Sequence, residues 1–279
     1  MTDAIETVFG TYSAASRGRL DLTYDYETAA IYSFKKILTE IGATTLLDIG
    51  ANIGVYSIFC SDLPSLRAIH AFEPAPVTHS MLCTNVSLQR RNSTVISAHQ
   101  IAASSKAGTV SFKIVAPTSG ANAIVETREE GLDYIEVKAA TVDSILHIRG
   151  ERVGVKIDVE GHEGDTIWGM EALLRHNECY IQVEALREDR TSRIKQLLEE
   201  YGYEYIFSLR DDHLFLHKNL MPHLMPTLAI LAQCISSDLR DLMNLRREKR
   251  SIAVAARKLR EMSGYKKDPL FLPQEADPF

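Results

Sequence analysis

The run Leu46-Leu-Asp-Ile-Gly-Ala-Asn-Ile-Gly-Val-Tyr-Ser57 constrains this chain more than any other segment. Apolar residues lead into Asp48, Gly50 and Gly54 frame a tight turn, and the residues from Val55 onward open a helix. Strand, turn and helix in that order form the start of a β-α unit whose turn faces a ligand. Glycine lets the backbone pass close beneath that ligand without a Cβ clash. The spacing is G-x-x-x-G, not the G-x-G-x-x-G of dinucleotide folds, which disfavours an NAD-dependent oxidoreductase. A cofactor without a phosphate needs less of an anion-binding nest. Asp48 suits a cationic amino-acid group instead.

The rest of the chain agrees with an α/β architecture. Short apolar runs at 45–49, 68–73, 95–102, 153–159 and 180–184 alternate with helical stretches at 75–89 and 165–175. Such alternation predicts a doubly wound, mostly parallel sheet with helices on both faces. Tyr203-Glu-Tyr-Ile-Phe-Ser-Leu and Leu214-Phe-Leu-His, joined through Arg210-Asp-Asp-His, predict a closing antiparallel hairpin. Two further strands, near 108–115 and 134–138, interrupt the alternation around a turn-rich loop, Pro117-Thr-Ser-Gly-Ala-Asn. Long insertions in such sheets often carry function.

Composition shifts mark three zones: an N-terminal helical segment (1–43), the α/β domain (44–218) and a basic helical extension (219–279). In the first, Ala30, Ile31, Phe34, Ile37, Leu38 and Ile41 recur at helical spacing, with Gly42 as the stop. In the last, Leu228, Leu231, Ile235, Leu242, Leu245, Ile252, Ala256 and Leu259 keep a near-heptad register, which Asp238 and Lys249 interrupt. That pattern fits a solvated helical face or a dimer seam, and a homodimer through the C-terminal helices is one assembly it allows. With a net charge of -6 over 279 residues, nucleic acid is not a favoured partner. No run reaches the roughly 18–20 apolar residues of a membrane span. The N-terminus lacks a signal-peptide pattern, and the four cysteines are scattered rather than paired. Together these predict a cytoplasmic protein without a transmembrane segment.

Two clusters carry the chemistry. Glu73, in Phe72-Glu-Pro74, ends the second strand, where a carboxylate accepts both hydroxyl protons of a nucleoside ribose. Phe72 or its neighbours line an adenine slot, and Ile101, Ala102 and Ala103 fall near its edge. The run Lys156-Ile-Asp-Val-Glu-Gly-His-Glu163 sets Asp158, Glu160, His162 and Glu163 at the carboxyl edge of the sheet, where open α/β sheets bind ligands. An alcohol becomes a good nucleophile only as its proton is removed, so a carboxylate or imidazole at this edge is a candidate base. The same residues also read structurally: Lys156 with Asp158 as an internal ion pair, and His162 as a helix start. Their oxygens suit a divalent metal, although only the spacing speaks for one and a metal is not favoured. Glu184 is a further acid at this edge. Asp143 orients a strand end or caps the following helix.

The blocks Asp48-Ile-Gly-Ala-Asn-Ile-Gly-Val-Tyr-Ser, Phe72-Glu-Pro, Thr141-Val-Asp-Ser and Lys156-Ile-Asp-Val-Glu-Gly-His-Glu resemble the FkbM family of methyltransferases in content, order and spacing. The likeness covers 44–218. It implies a class I methyltransferase-like (Rossmann-like) sheet of seven strands with the last antiparallel, and S-adenosylmethionine as cofactor. It implies O-methylation of saccharides or other hydroxylated metabolites. Carried over by position, Asp48, Gly50, Asn52, Gly54 and Glu73 contact the cofactor, while Asp158, Glu160 and His162 face the acceptor. The competing readings are an N-methyltransferase of the same fold and an inactive, methyltransferase-like scaffold.

Overall fold

The computed structural model describes residues 4–89, 94–116, 118–125, 127–185, 187–222 and 224. The near-heptad, basic C-terminal extension and the dimer seam it allows lie outside the described residues, apart from the first few positions.

Numbering only the central sheet, the strands are β1 (Thr45–Ile49), β2 (Ala68–Phe72), β3 (Val95–His99), β4 (Arg152–Ile157), β5 (Glu178–Glu184), β6 (Tyr203–Leu209) and β7 (Asp212–His217). The seven strands lie in the order β6-β7-β5-β4-β1-β2-β3. β1 to β5 pair in parallel, and β7 runs antiparallel to both β5 and β6. Strand order reverses between β1 and β4, so their carboxyl ends flank a crevice at the topological switch point. β1 is buried throughout, as a strand covered on both faces must be.

The N-terminal segment supplies one cover. Helix Thr28–Ile41 buries Ile31, Phe34, Ile37, Leu38 and Ile41 along one stripe, each at 3% exposure or less. Each such side chain contributes about 1.5–3 kcal/mol of hydrophobic stabilisation. The helix ends where the sequence predicts, at Gly42 in a left-handed conformation. The segment is not helical throughout: Ala4–Thr7 and Gly10–Ser13 form an antiparallel hairpin ahead of helix Arg17–Tyr26. The hairpin is tied down at a distance, Ser13 N donating to Asn85 Oδ1 at 2.9 Å, which local periodicity cannot reveal.

Two other expectations are refined. The stretch expected as one helix at 165–175 is two, Glu163–Trp168 and Glu171–His176. Gly169 at the break packs so closely on the Ser104 carbonyl that a Cβ would stand 2.0 Å from its oxygen. Asp143 caps a helix, but not its own. Its two carboxylate oxygens accept from Ala172 N (2.7 Å) and Leu173 N (2.9 Å), while Thr141 caps the short helix Val142–Ile145.

The interruption at 102–140 builds a second sheet of four strands in the order Ala102–Ala103, Asp133–Ala140, Gly108–Ile114, Ala123–Ile124. Phe112, Val137 and Ala139 pack with Ala75 and Ala102, which fixes this sheet over the carboxyl edge of the main one. Among the described residues, no helix is long and apolar enough to cross a membrane.

Candidate cofactor and acceptor site

An open cleft of about 600 Å³ lies at the switch point. Its lining includes the apolar Phe72, Ile101, Ala102, Ala103, Phe112 and Ile124 and the polar Asn52, Glu73, Asp158, Glu160 and Arg19. A second, smaller chamber adjoins it, sharing Arg19, Gly50, Asn52 and Asp158 and reaching inward to Asp48, Tyr56, Lys156 and Glu27.

The glycine turn is shaped by close approach. Gly50 has φ +81°, and a Cβ on it would stand 1.7 Å from the backbone oxygen of Asp158. β1 and β4 therefore meet at a point where no side chain fits. Gly54 (φ +90°) starts helix Val55–Cys60, with Leu82 at the place of its Cβ.

Glu73 sits at the cleft, 6% exposed. One oxygen accepts from Ala75 N (2.9 Å) and the other from Asn52 N (3.0 Å). Burial pushes its carboxyl up to about 7, against the pull of those two donors. Asn52 is left-handed (φ +50°) and donates from Nδ2 to the Thr118 carbonyl at 3.2 Å, tying the turn to the inserted loop. Its Oδ1 is buried without a hydrogen-bond partner among the described residues. Thr118 and Glu160 are also left-handed, so three of the four such non-glycine residues described gather here. Strained backbone of this kind tends to collect at ligand sites.

Asp48 is deeper than the sequence suggests. At 2% exposure it lines only the inner chamber, and Oδ2 accepts from Ser57 N (3.0 Å) and Ser57 Oγ (2.6 Å). It thereby fixes helix Val55–Cys60 to β1, and burial raises its carboxyl.

The acid-rich block after β4 divides. Asp158 and Glu160 line the cleft. Burial raises both, Asp158 to about 6, with neighbouring carboxylates adding to the effect. His162 does not line the cleft. The chain turns at Glu160 and Gly161, both at positive φ, and carries the imidazole to the N-cap of helix Glu163–Trp168, with Nε2 3.0 Å from Ser104 Oγ. Spacing along the sequence groups His162 with the acids, whereas the turn separates them.

Lys156 pairs elsewhere than the sequence suggests. At 3% exposure, its Nζ stands 2.8 Å from Asp212 Oδ1 and 3.6 Å from Glu184 Oε2. Gln182 Nε2 donates to the same Asp212 oxygen (2.9 Å) and to Tyr56 Oη (2.8 Å). Burial opposes the charge of Lys156, yet Asp212, Tyr56, Asp158 and Glu184 outweigh it and raise its pKa. Glu184 is pushed up to about 7 by burial and by Asp158. Sequence reasoning missed Arg19, Glu27, Tyr56, Gln182 and Asp212. Arg19 and Glu27 come from the N-terminal segment and form a 2.6 Å ion pair at the junction of the two chambers. Asp212 reads locally as a turn residue. Among the described residues, no group of three or more His, Cys, Asp or Glu is arranged to hold a metal ion.

These acids carry a pH dependence. Glu73, Asp158 and Glu184 all have folded pKa values above the usual carboxylate range. A raised folded pKa stabilises the fold below the unfolded value, and that stability is lost as pH rises through the folded value. The ligand-free protein is expected to be more heat-stable near pH 5.5 than at pH 8. Thermal melts across this window check it: Glu73→Gln should flatten the slope, and a wild-type profile that rises toward pH 8 contradicts the account.

A parallel sheet with a switch-point cleft, a glycine turn and an acid at the end of the second strand define a nucleoside-cofactor-binding α/β enzyme fold. The model of the methyltransferase FkbM domain matches residues 48–205, and the chain belongs to this family of methyltransferases. Three solved structures give the breadth of the likeness. The methyltransferase FkbM of Methylobacillus flagellatus KT is 14% identical at a TM-score of 0.44, over 63% of this chain and 44% of its own, so this chain spans less than half of it. Precorrin-6y C5,15-methyltransferase from Geobacter metallireducens GS-15 is 18% identical at a TM-score of 0.37, over 62% of this chain and 78% of its own. TYW2 of M. jannaschii, solved in complex with AdoMet, is 14% identical at a TM-score of 0.32, over 66% of this chain and 74% of its own. A search of curated proteins returns no match.

Proposed function

We propose that this chain is an S-adenosylmethionine-dependent O-methyltransferase acting on a hydroxyl of a saccharide or another hydroxylated metabolite. One observation carries the cofactor assignment: the Glu73 carboxylate, held by Ala75 N and Asn52 N, lines the same cleft as the apolar Phe72, Ile101, Ala102 and Phe112 and the acids Asp158 and Glu160. Adenine fits the slot of Phe72, Ile101, Ala102 and Phe112, and the ribose hydroxyls donate to Glu73. The glycine cradle at Gly50 and the Asn52 Oδ1, which no described residue partners, fit a ligand that passes close to backbone and donates a hydrogen bond. Once bound, the cofactor supplies an electrophilic methyl group on a positively charged sulfur.

The chain's own residues do the remaining work. Gly50 and Asn52 set how closely the cofactor approaches β1. The inserted sheet, through Phe112 and Ile124, keeps water from the adenine end. Asp158 and Glu160 face the acceptor, orient its hydroxyl and accept its proton. A carboxyl near 6 is ionised at neutral pH and basic enough for that task. His162 acts from outside the cleft by holding the turn that aims Glu160. Holding the acceptor oxygen in line with the methyl group supplies much of the rate.

The acids of the cleft favour a second reading, transfer to an amine, because a protonated amine is drawn to Asp158 and Glu160, one of which then takes its proton. Incubation with labelled S-adenosylmethionine and matched panels of sugar alcohols and amino sugars separates the two. Asp158→Asn and Glu160→Gln should each lower methyl transfer by about 100-fold or more, with cofactor affinity within a few-fold of wild type. Full activity in both variants would remove these residues from the chemistry.

A further inference from the structure

The inner chamber holds both signs of charge at one junction. Arg19 reaches it from helix Arg17–Tyr26, with Glu27, Asp48 and Asp158 around the same space. The chamber opens onto the larger cleft at Gly50, Asn52, Asp158 and Arg19. A nucleoside whose ribose were held by Glu73 would have this chamber, next to Gly50, as the space for its 5′ substituent. With S-adenosylmethionine, that substituent ends in a zwitterion, an α-ammonium and an α-carboxylate. A chamber of carboxylates alone would suit only the ammonium. Among the described residues, Arg19 is the cation that lines both cavities, while Lys156 lines the inner chamber alone.

We propose that Arg19 receives the α-carboxylate of bound S-adenosylmethionine, so that a helix outside the matched family domain completes the cofactor site. The assignment rests on the cofactor reading above. Glu27 is a positioning residue: its 2.6 Å ion pair holds the guanidinium at the junction. Arg19 is 14% exposed, and its Nη1 lies 3.2 Å from where a Cβ on Gly120 would stand. The guanidinium is thus confined between the N-terminal helices and the inserted loop, and little ordering is left for binding to impose. A guanidinium fork matches a carboxylate in geometry as well as charge.

Calorimetry on the full chain tests this with three ligands: S-adenosylmethionine, its decarboxylated analogue, and 5′-methylthioadenosine, which lacks the whole amino-acid tail. Arg19→Gln should weaken S-adenosylmethionine binding by about 10- to 100-fold, the range of a charge-assisted pair. The other two ligands should bind the variant as they bind wild type, which also shows that the variant is folded. Arg19→Lys, keeping the charge and losing the fork, should fall between. Equal weakening of all three ligands, or none, overturns the Arg19 assignment while leaving the cofactor reading intact. Failure of the wild type to bind S-adenosylmethionine overturns both.

Discussion

Gly50→Ala is expected to abolish cofactor binding and to destabilise the fold by several kcal/mol. A Cβ at this position would stand 1.7 Å from the Asp158 oxygen and 2.8 Å from its carbonyl carbon. The obstacle is backbone, so no rotamer change relieves it. A left-handed φ in a residue with a side chain adds about 1–2 kcal/mol, and overpacking a rigid contact typically adds about 1–3 kcal/mol. The two meet at the junction of β1 and β4, so relief requires those strands to part where the cleft opens. Gly42→Ala is the control. Gly42 is also left-handed, at φ +61°, but beyond its own chain neighbours no described residue comes within 4 Å of its Cβ position, so only the conformational term of about 1–2 kcal/mol applies. Chemical denaturation of both variants should therefore separate them clearly. Equal, small losses would mean that the close approach of β1 and β4 is not rigid.

Lys156→Met is expected to cost about 3–5 kcal/mol, because removing one partner leaves buried charge uncompensated. Asp212 would retain Gln182 as a donor, whereas Glu184 would lose the one nearby cation that lowers its pKa. The loss should depend on pH in a definite direction. In the intact protein Lys156 is raised, so its contribution persists below the ordinary lysine range and disappears only above it. In the variant, the Glu184 carboxyl, already near 7, rises further. Its stabilising protonated form is present below its unfolded value and lost as pH rises through the folded one. The deficit should therefore be largest at pH 8 and shrink toward pH 5. Urea denaturation at the two pH values measures it, and a deficit independent of pH would contradict the ion-pair account.

Much of this architecture is legible in the sequence because its signals are local. The glycine turn, the acid ending β2 and the alternation of apolar runs with helices each depend on residues within one element. The β6–β7 hairpin is visible for the same reason. What escapes depends on distance. Ser57 takes the carboxylate of Asp48 that the sequence assigns to a ligand, and Asp212 takes the lysine assigned to Asp158. Arg19 and Glu27 carry no motif, since their place at the cleft comes from how the N-terminal helices pack across the sheet. His162 fails in the opposite way. It is adjacent in sequence to the acids of the cleft, but two consecutive residues of positive φ turn it toward Ser104. The helix break at Gly169 likewise depends on the Ser104 carbonyl, a contact from a distant loop.

Calorimetric titration of the wild-type chain with S-adenosylmethionine, beside Glu73→Ala, decides whether the switch-point cleft holds this cofactor through Glu73. The account predicts micromolar binding by wild type and a loss of about tenfold or more in the variant, since a bidentate carboxylate contact is removed. A folded wild-type protein that binds neither S-adenosylmethionine nor S-adenosylhomocysteine, or a variant that binds as tightly as wild type, would contradict it.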